Sequence, residues 1–185
     1  MTSFRHLSRL SLAAGFAFGM ATAAFAVGDN NDDTSPPPKT QTTKTCTGGK
    51  VWDKAKKECV NPKKSSFNDD DLYKFAREFA YAGQYENAIT VLDLARNQND
   101  PRILNYLGYA NRKAGRVELG MSYYRKALHA DENYILARSY MGMGLVEEGD
   151  IQGARVQLVE IRDRGGEDTW AYRALLQSLN GYRTY

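Results

Sequence analysis

Outside its first 26 positions, the residues of this chain with the most reactive chemistry are Cys46, Cys59 and His129. Thiolates and an imidazole can hold zinc, but two cysteines supply only half of a tetrahedral site. Helical spacing turns His129 to solvent. A Cys46–Cys59 disulfide is the better reading, and one closing so short a loop contributes about 3 kcal/mol in the chain-entropy account. The carboxylate groups Glu147-Glu148-Asp150 and Asp131-Glu132 have the chemistry of cation ligands. They fall in predicted turns between helices, where such charge is ordinarily solvated. There is no supported Ser/His/Asp set and no Cys/His pair once the disulfide forms. Gly48-Gly49 lacks the rest of a phosphate-binding loop. The chain reads as a binding protein, not an enzyme, with no cofactor and no metal.

The compartment follows from the N-terminus. Arg5 and Arg9 precede the apolar, Ala-rich run from Leu10 to Phe25, and Ala24-Phe25-Ala26 fits the small-x-small rule of signal peptidase. The expectation is a signal peptide over 1–26, export to the periplasm or beyond, and no membrane span after cleavage. The run is shorter than the ~20 residues of a spanning helix and contains Gly15 and Gly19. No cysteine directly follows the cleavage site, and the two arginines are not adjacent, so neither a lipid anchor nor a twin-arginine route is indicated. An even cysteine count agrees with an oxidising compartment.

Charge is uneven. The 185 residues carry a net +3, too little for a field that would select nucleic acid. Lys39 to Lys64 holds eight lysines against Asp53 and Glu58, a net of +6, whereas Phe67 onward has 15 basic and 17 acidic residues, a net of −2. Residues 27–45, with Pro36-Pro37-Pro38 and a Thr/Lys run, have almost nothing apolar to bury and are expected to be a disordered linker. Residues 46–62 are expected to form a Lys-rich hairpin, with Lys50-Val51-Trp52 and Glu58-Cys59-Val60 as strands around a turn. So small a hairpin is marginal alone. Trp52 packed on the disulfide would hold it.

From Phe67 the apolar period becomes helical. Asn68 and Asp69-Asp70-Asp71 suit a helix start. Helices are expected over 72–82 (Leu72, Phe75, Ala76 and Phe79 inward) and 86–97 (Ala88, Ile89, Leu92 and Ala95 inward). Asp100-Pro101 opens the next pair, whose second helix turns Leu119, Tyr123, Tyr124, Ala127 and Leu128 inward. The third pair covers 134–148 and 152–162, with Ala137, Met141, Gly142, Ala154, Leu158 and Ile161 inward. A last helix over 169–179 brings Trp170, Leu175, Leu176 and Leu179 to cover the end. The turn glycines Gly83, Gly115 and Gly149 are separated by 32 and 34 residues. Ala76, Gly108 and Gly142 occupy corresponding places, as do Ala88, Gly120 and Ala154.

This register resembles the tetratricopeptide (TPR) repeat, whose period is about 34 residues. It covers 67–182, with repeats at about 69–100, 101–134 and 135–168 and a capping helix at 169–180. The middle repeat, LNYLGYANRKAGRVELGMSYYRKALHADEN, matches best. The resemblance implies an all-α class: an α-solenoid of three helix pairs plus a C-terminal cap. The chain is also similar to small exported proteobacterial TPR proteins. Those often carry a cysteine pair before the last helix, where this sequence has Asp163-Arg164-Gly165-Gly166. In TPR arrays the first helix of each pair lines a concave groove. Here that implies Tyr73, Lys74 and Arg77, then Arg102, Asn105, Tyr106, Tyr109, Arg112 and Lys113, then Ser139, Tyr140 and Met143. The set is basic and aromatic without an acid, which suits an acidic peptide or protein partner. The Cys46–Cys59 hairpin resembles half-cystine hairpins of small extracellular modules, chitin-binding ones included. It supports an alternative in which the hairpin contacts an envelope surface or glycan and the repeats are a spacer.

Overall fold

A computed structural model of the protein describes residues 38 to 181. The expected signal peptide at 1–26, the linker as far as residue 37 and the last four residues lie outside them. The described chain is helical apart from one hairpin. A single turn, α1 (Gln41–Lys44), precedes strands β1 (Val51–Asp53) and β2 (Glu58–Val60). Then follow α2 (Asp69–Tyr81), α3 (Tyr85–Leu92), α4 (Pro101–Lys113), α5 (Val117–Ala130), α6 (Ile135–Glu147), α7 (Ile151–Asp163) and α8 (Trp170–Leu179). Helices α2/α3, α4/α5 and α6/α7 are consecutive packed pairs, and α8 packs on α6 and α7.

Local chemistry sets these boundaries. The Asn68 side chain caps α2 by accepting from Asp71 N–H, and Asp100 caps α4 by accepting from Arg102 N–H, with Pro101 in the first turn. Gly115 ends the α4 turn at φ +87°, where a side chain would be strained although a Cβ would meet nothing within 4 Å. Helix α3 stops at Leu92, short of the expected 97. The backbone N–H groups of Arg96 and Asn97 donate to the Asp69 carboxylate, and the Gln98 amide donates to the carbonyls of Leu92 and Ala95. Side chains have taken partners that a longer helix would have used.

The pairs differ in how closely they cross. A Cβ on Gly120 would lie 2.7 Å from the Gly108 carbonyl oxygen, and one on Gly108 would lie 2.7 Å from the Tyr124 ring, so α4 and α5 meet backbone to backbone. Gly142 is small for another reason: its nearest neighbour is Leu175 of α8, at 2.6 Å from a built Cβ. Leu119, expected inward, is 44% exposed, and Leu176, expected in the cap contact, is 38% exposed. Leu175 is fully buried as expected, and α8 also buries Ala171 and Ala174. Phe75, Ile89, Met141 and Leu158 are half-buried at the edge of the core.

The hairpin is part of the same body. Cys46 and Cys59 form a disulfide, and β1 pairs antiparallel with β2 in the register Val51↔Val60, Trp52↔Cys59 and Asp53↔Glu58. Val51 is fully buried in the repeat core. The end of the expected disordered linker is ordered. Buried Glu78 of α2 accepts from Thr40 N–H (2.8 Å), the Thr40 hydroxyl (2.7 Å), Thr43 N–H (3.1 Å) and the Thr43 hydroxyl. The fully buried Thr42 hydroxyl accepts from Trp52 N–H at 3.1 Å. A stack of helix pairs exposes apolar surface at both ends. The hairpin with α1 covers one end, and α8 covers the other.

Candidate functional site

The twelve concave-face positions expected from the sequence come together, but their centre is filled by their own side chains. Tyr106 and Tyr140 are fully buried, and Tyr73, Tyr109 and Met143 are nearly so. Tyr73 meets Tyr106 edge-on at 5.5 Å, and Tyr106 meets Tyr140 at 6.2 Å. Tyr109 lies 5.0 Å from Tyr140, which reaches Trp170 of α8 at 6.2 Å. The Tyr81 and Tyr140 hydroxyls share a hydrogen bond of 2.9 Å, joining the first repeat to the third across the concave side. Edge-to-face rings at these distances add about 0.5–1.5 kcal/mol each beyond burial. Burial pushes the Tyr109 and Tyr140 hydroxyls well above their ordinary pKa, as do the neighbouring tyrosines. These rings are core and not an open binding surface.

The expected cations are largely engaged too. Arg112 is only 4% exposed. Its guanidinium donates to Glu147 and to the Tyr124 hydroxyl (3.5 Å), and Lys113 reaches the same carboxylate at 3.4 Å. Burial works against the Glu147 charge, but the Arg112 bond and charge outweigh it and hold the carboxyl below its usual range. Arg102 bridges Asp100 (2.7 Å) and Asp70 (2.9 Å) and lies 5.1 Å over the Tyr73 ring. Arg77 donates to the Tyr106 hydroxyl at 3.1 Å. The acids that neutralise this face come from the ends of its own helices: Asp70 in the first turn of α2, Asp100 capping α4 and Glu147 at the end of α6. Buried Ser139 donates to the Ala171 carbonyl and ties α6 to the cap. Asn105 is fully buried, and neither polar atom of its side-chain amide has a hydrogen-bond partner among the described residues.

The open site lies beside this face, where the hairpin and α1 meet α2. A cleft of about 600 Å³ is lined by Trp52, Phe67, Tyr73 and Phe75, with Lys54, Lys74 and Arg77 among its charged residues. Phe67 and Phe75 meet edge-on at 5.0 Å and form part of one apolar wall. Three of the lining residues, Tyr73, Lys74 and Arg77, belong to the set read from the sequence. Trp52 belongs to the hairpin, and its pairing opposite Cys59 puts it on the same face of the sheet as Cys59. The sequence reading missed Phe67, Phe75 and Glu78 as site-builders. Thr40 carried a faint signal as an N-cap residue, but a single turn gives too little periodicity to reveal where it docks.

Among the described residues, no group of three or more His, Cys, Asp or Glu could hold a metal ion, and no helix is long and apolar enough to cross a membrane. The chain matches no protein-family model, and no curated protein matches it.

Proposed function

We propose that this protein is an exported TPR-like adaptor of the cell envelope that holds a protein partner. The contact is made where the hairpin meets the first helix pair, not along the middle of the concave face. The observation that carries this is the aromatic-walled cleft of about 600 Å³, within the usual size range of ligand pockets. It is built jointly by the two parts of the chain that the sequence offered as rival binding elements. The helix pairs then serve as a rigid frame, fixed by the tyrosine cluster, that presents the cleft. A disulfide in the hairpin agrees with an oxidising compartment. The shared core of hairpin and repeats speaks against a hairpin acting alone with the repeats as spacer.

The test is a crosslinked pulldown from the envelope fraction, comparing the wild type with Trp52→Ala combined with Lys74→Glu. Loss of specific partners with the helical circular dichroism unchanged supports the reading. Recovery of the same partners at the same yield removes it.

A further inference from the structure

We infer that the cleft between the hairpin and α2 binds an extended peptide segment in which an apolar side chain is flanked by carboxylates. This rests on the adaptor reading and names the chemistry of its partner. Two of the cleft's three acids are already engaged. Asp53 accepts from the N–H groups of Ala55 (2.9 Å) and Lys56 (3.0 Å) and pairs with Lys56. Glu78 accepts four hydrogen bonds from Thr40 and Thr43. Asp53 is thus engaged within the hairpin turn, and buried Glu78 in the docking of α1. Lys54 and Lys74 are exposed cleft-lining side chains with no ion pair or hydrogen bond among the described residues. Of the cleft's acids only Asp71 stands against them, so the accessible charge is net positive, and other lysines of the 39–64 stretch reinforce it.

Aromatic walls and unpaired ammonium groups select the ligand together. Trp52, Phe67 and Phe75 offer area to an apolar side chain, and the two lysines offer point charges to carboxylates on either side of it. A neutral glycan would also stack on Trp52. It would need acceptors for its hydroxyls, however, and the two acids best placed to supply them are held by the protein's own donors. A peptide uses both features and a neutral sugar uses only one.

The test uses the full protein with its disulfide intact and fluorescence anisotropy of a labelled, doubly capped peptide D-D-F-L-D-D. Controls are K-K-F-L-K-K, D-D-G-G-D-D and a chitin oligosaccharide. The acidic apolar peptide should bind, weaken as salt is raised, and lose about tenfold in affinity in Lys54→Glu combined with Lys74→Glu. Both lysines are exposed, so this variant folds, and an unchanged urea midpoint confirms it. Equal binding of the basic peptide, no effect of the double charge reversal, or displacement of the peptide by the chitin oligosaccharide would each overturn the inference. The outcomes separate the two readings. Envelope partners that depend on Trp52, with no binding of the acidic peptide, leave the adaptor standing and remove this ligand chemistry. Peptide binding with no partner captured removes the adaptor.

Discussion

The concave middle and the N-terminal cleft are made from the same residue types, tyrosines and other aromatics beside basic side chains, and they end in opposite states. In the middle, each ring has rings for neighbours, and Arg102 and Arg112 are matched by Asp70, Asp100 and Glu147. In the cleft, Trp52, Phe67 and Phe75 line open space, and Lys54 and Lys74 make no ion pair among the described residues. The difference teaches that residue type on a repeat's inner face does not decide accessibility. Three repeats curve tightly enough for a tyrosine of the first (Tyr81) to touch one of the third (Tyr140), so large side chains close the space that small ones would leave open. Where the hairpin and α1 pack against α2, a cleft remains.

The comparison breaks most severely at Tyr140. Tyr140→Ala should destabilise the repeats by about 3–5 kcal/mol in urea unfolding, because it removes a buried ring that touches the first repeat, the second and the cap. A change below about 1 kcal/mol would mean that the middle is a groove after all. The cleft should respond next, to loss of its staple. Cys46→Ser with Cys59→Ser should cost about 3 kcal/mol, concentrated in the hairpin. Hydrogen exchange should show protection lost at Trp52 and Val60 while α4 and α5 keep theirs.

Glu147→Gln probes the paired charges of the middle. It leaves buried Arg112 with a weaker acceptor, and a loss of about 1–2 kcal/mol is expected, reduced because Glu147 itself is 53% exposed. The same pair gives an acid-dependent signature. The Glu147 carboxyl sits below its ordinary value of 4.5 and that of Asp100 below 3.8. Asp100 is held there by its Arg102 bonds against the opposing effect of burial. Lowered carboxyl values mean that the unfolded chain binds more protons. Their contribution is therefore complete above the ordinary values and lost as pH falls through the folded ones. The urea midpoint should be flat from neutral pH to about 5 and then fall, with a shallower fall in Glu147→Gln. A wild-type midpoint that rises in acid would contradict the pairing.

The smallest effects sharpen the contrast. Asn105→Leu replaces an unpartnered buried amide by an apolar side chain of similar size. Thermal melts should show it neutral or up to about 1 kcal/mol more stable. Lys54→Ala and Lys74→Ala should each lie within about 0.5 kcal/mol of wild type, since nothing in the fold leans on them.

Much of the architecture was legible because it rests on local rules. Asn68, Asp100-Pro101 and the turn glycines mark helix ends whose chemistry is complete within a few residues. Gly108 and Gly120 stood out as small residues in register, and they are where α4 and α5 cross closely. The early end of α3 was not legible, because its cause is the Asp69 carboxylate arriving from the preceding helix. Leu119 misled for a related reason: an apolar residue within the helical pattern need not face a neighbour. The site was legible only as composition. Tyr73, Lys74 and Arg77 were found, whereas Phe67 and Phe75 looked like ordinary core and Glu78 like ordinary surface.

What the sequence determined by itself is the all-helical class of the long segment, its division into three pairs and a cap, and the disulfide hairpin before it. Each follows from periodicity, capping and cysteine spacing, and none requires knowing which distant residue lies opposite. The tertiary structure decided which inner-face residues are buried, which cations are paired, and that the hairpin shares the repeat core and leaves a cleft beside α2. Those outcomes depend on curvature and on contacts between positions far apart in the chain. Tyr81 meeting Tyr140 and Thr40 meeting Glu78 are two of them, and no local spacing encodes either.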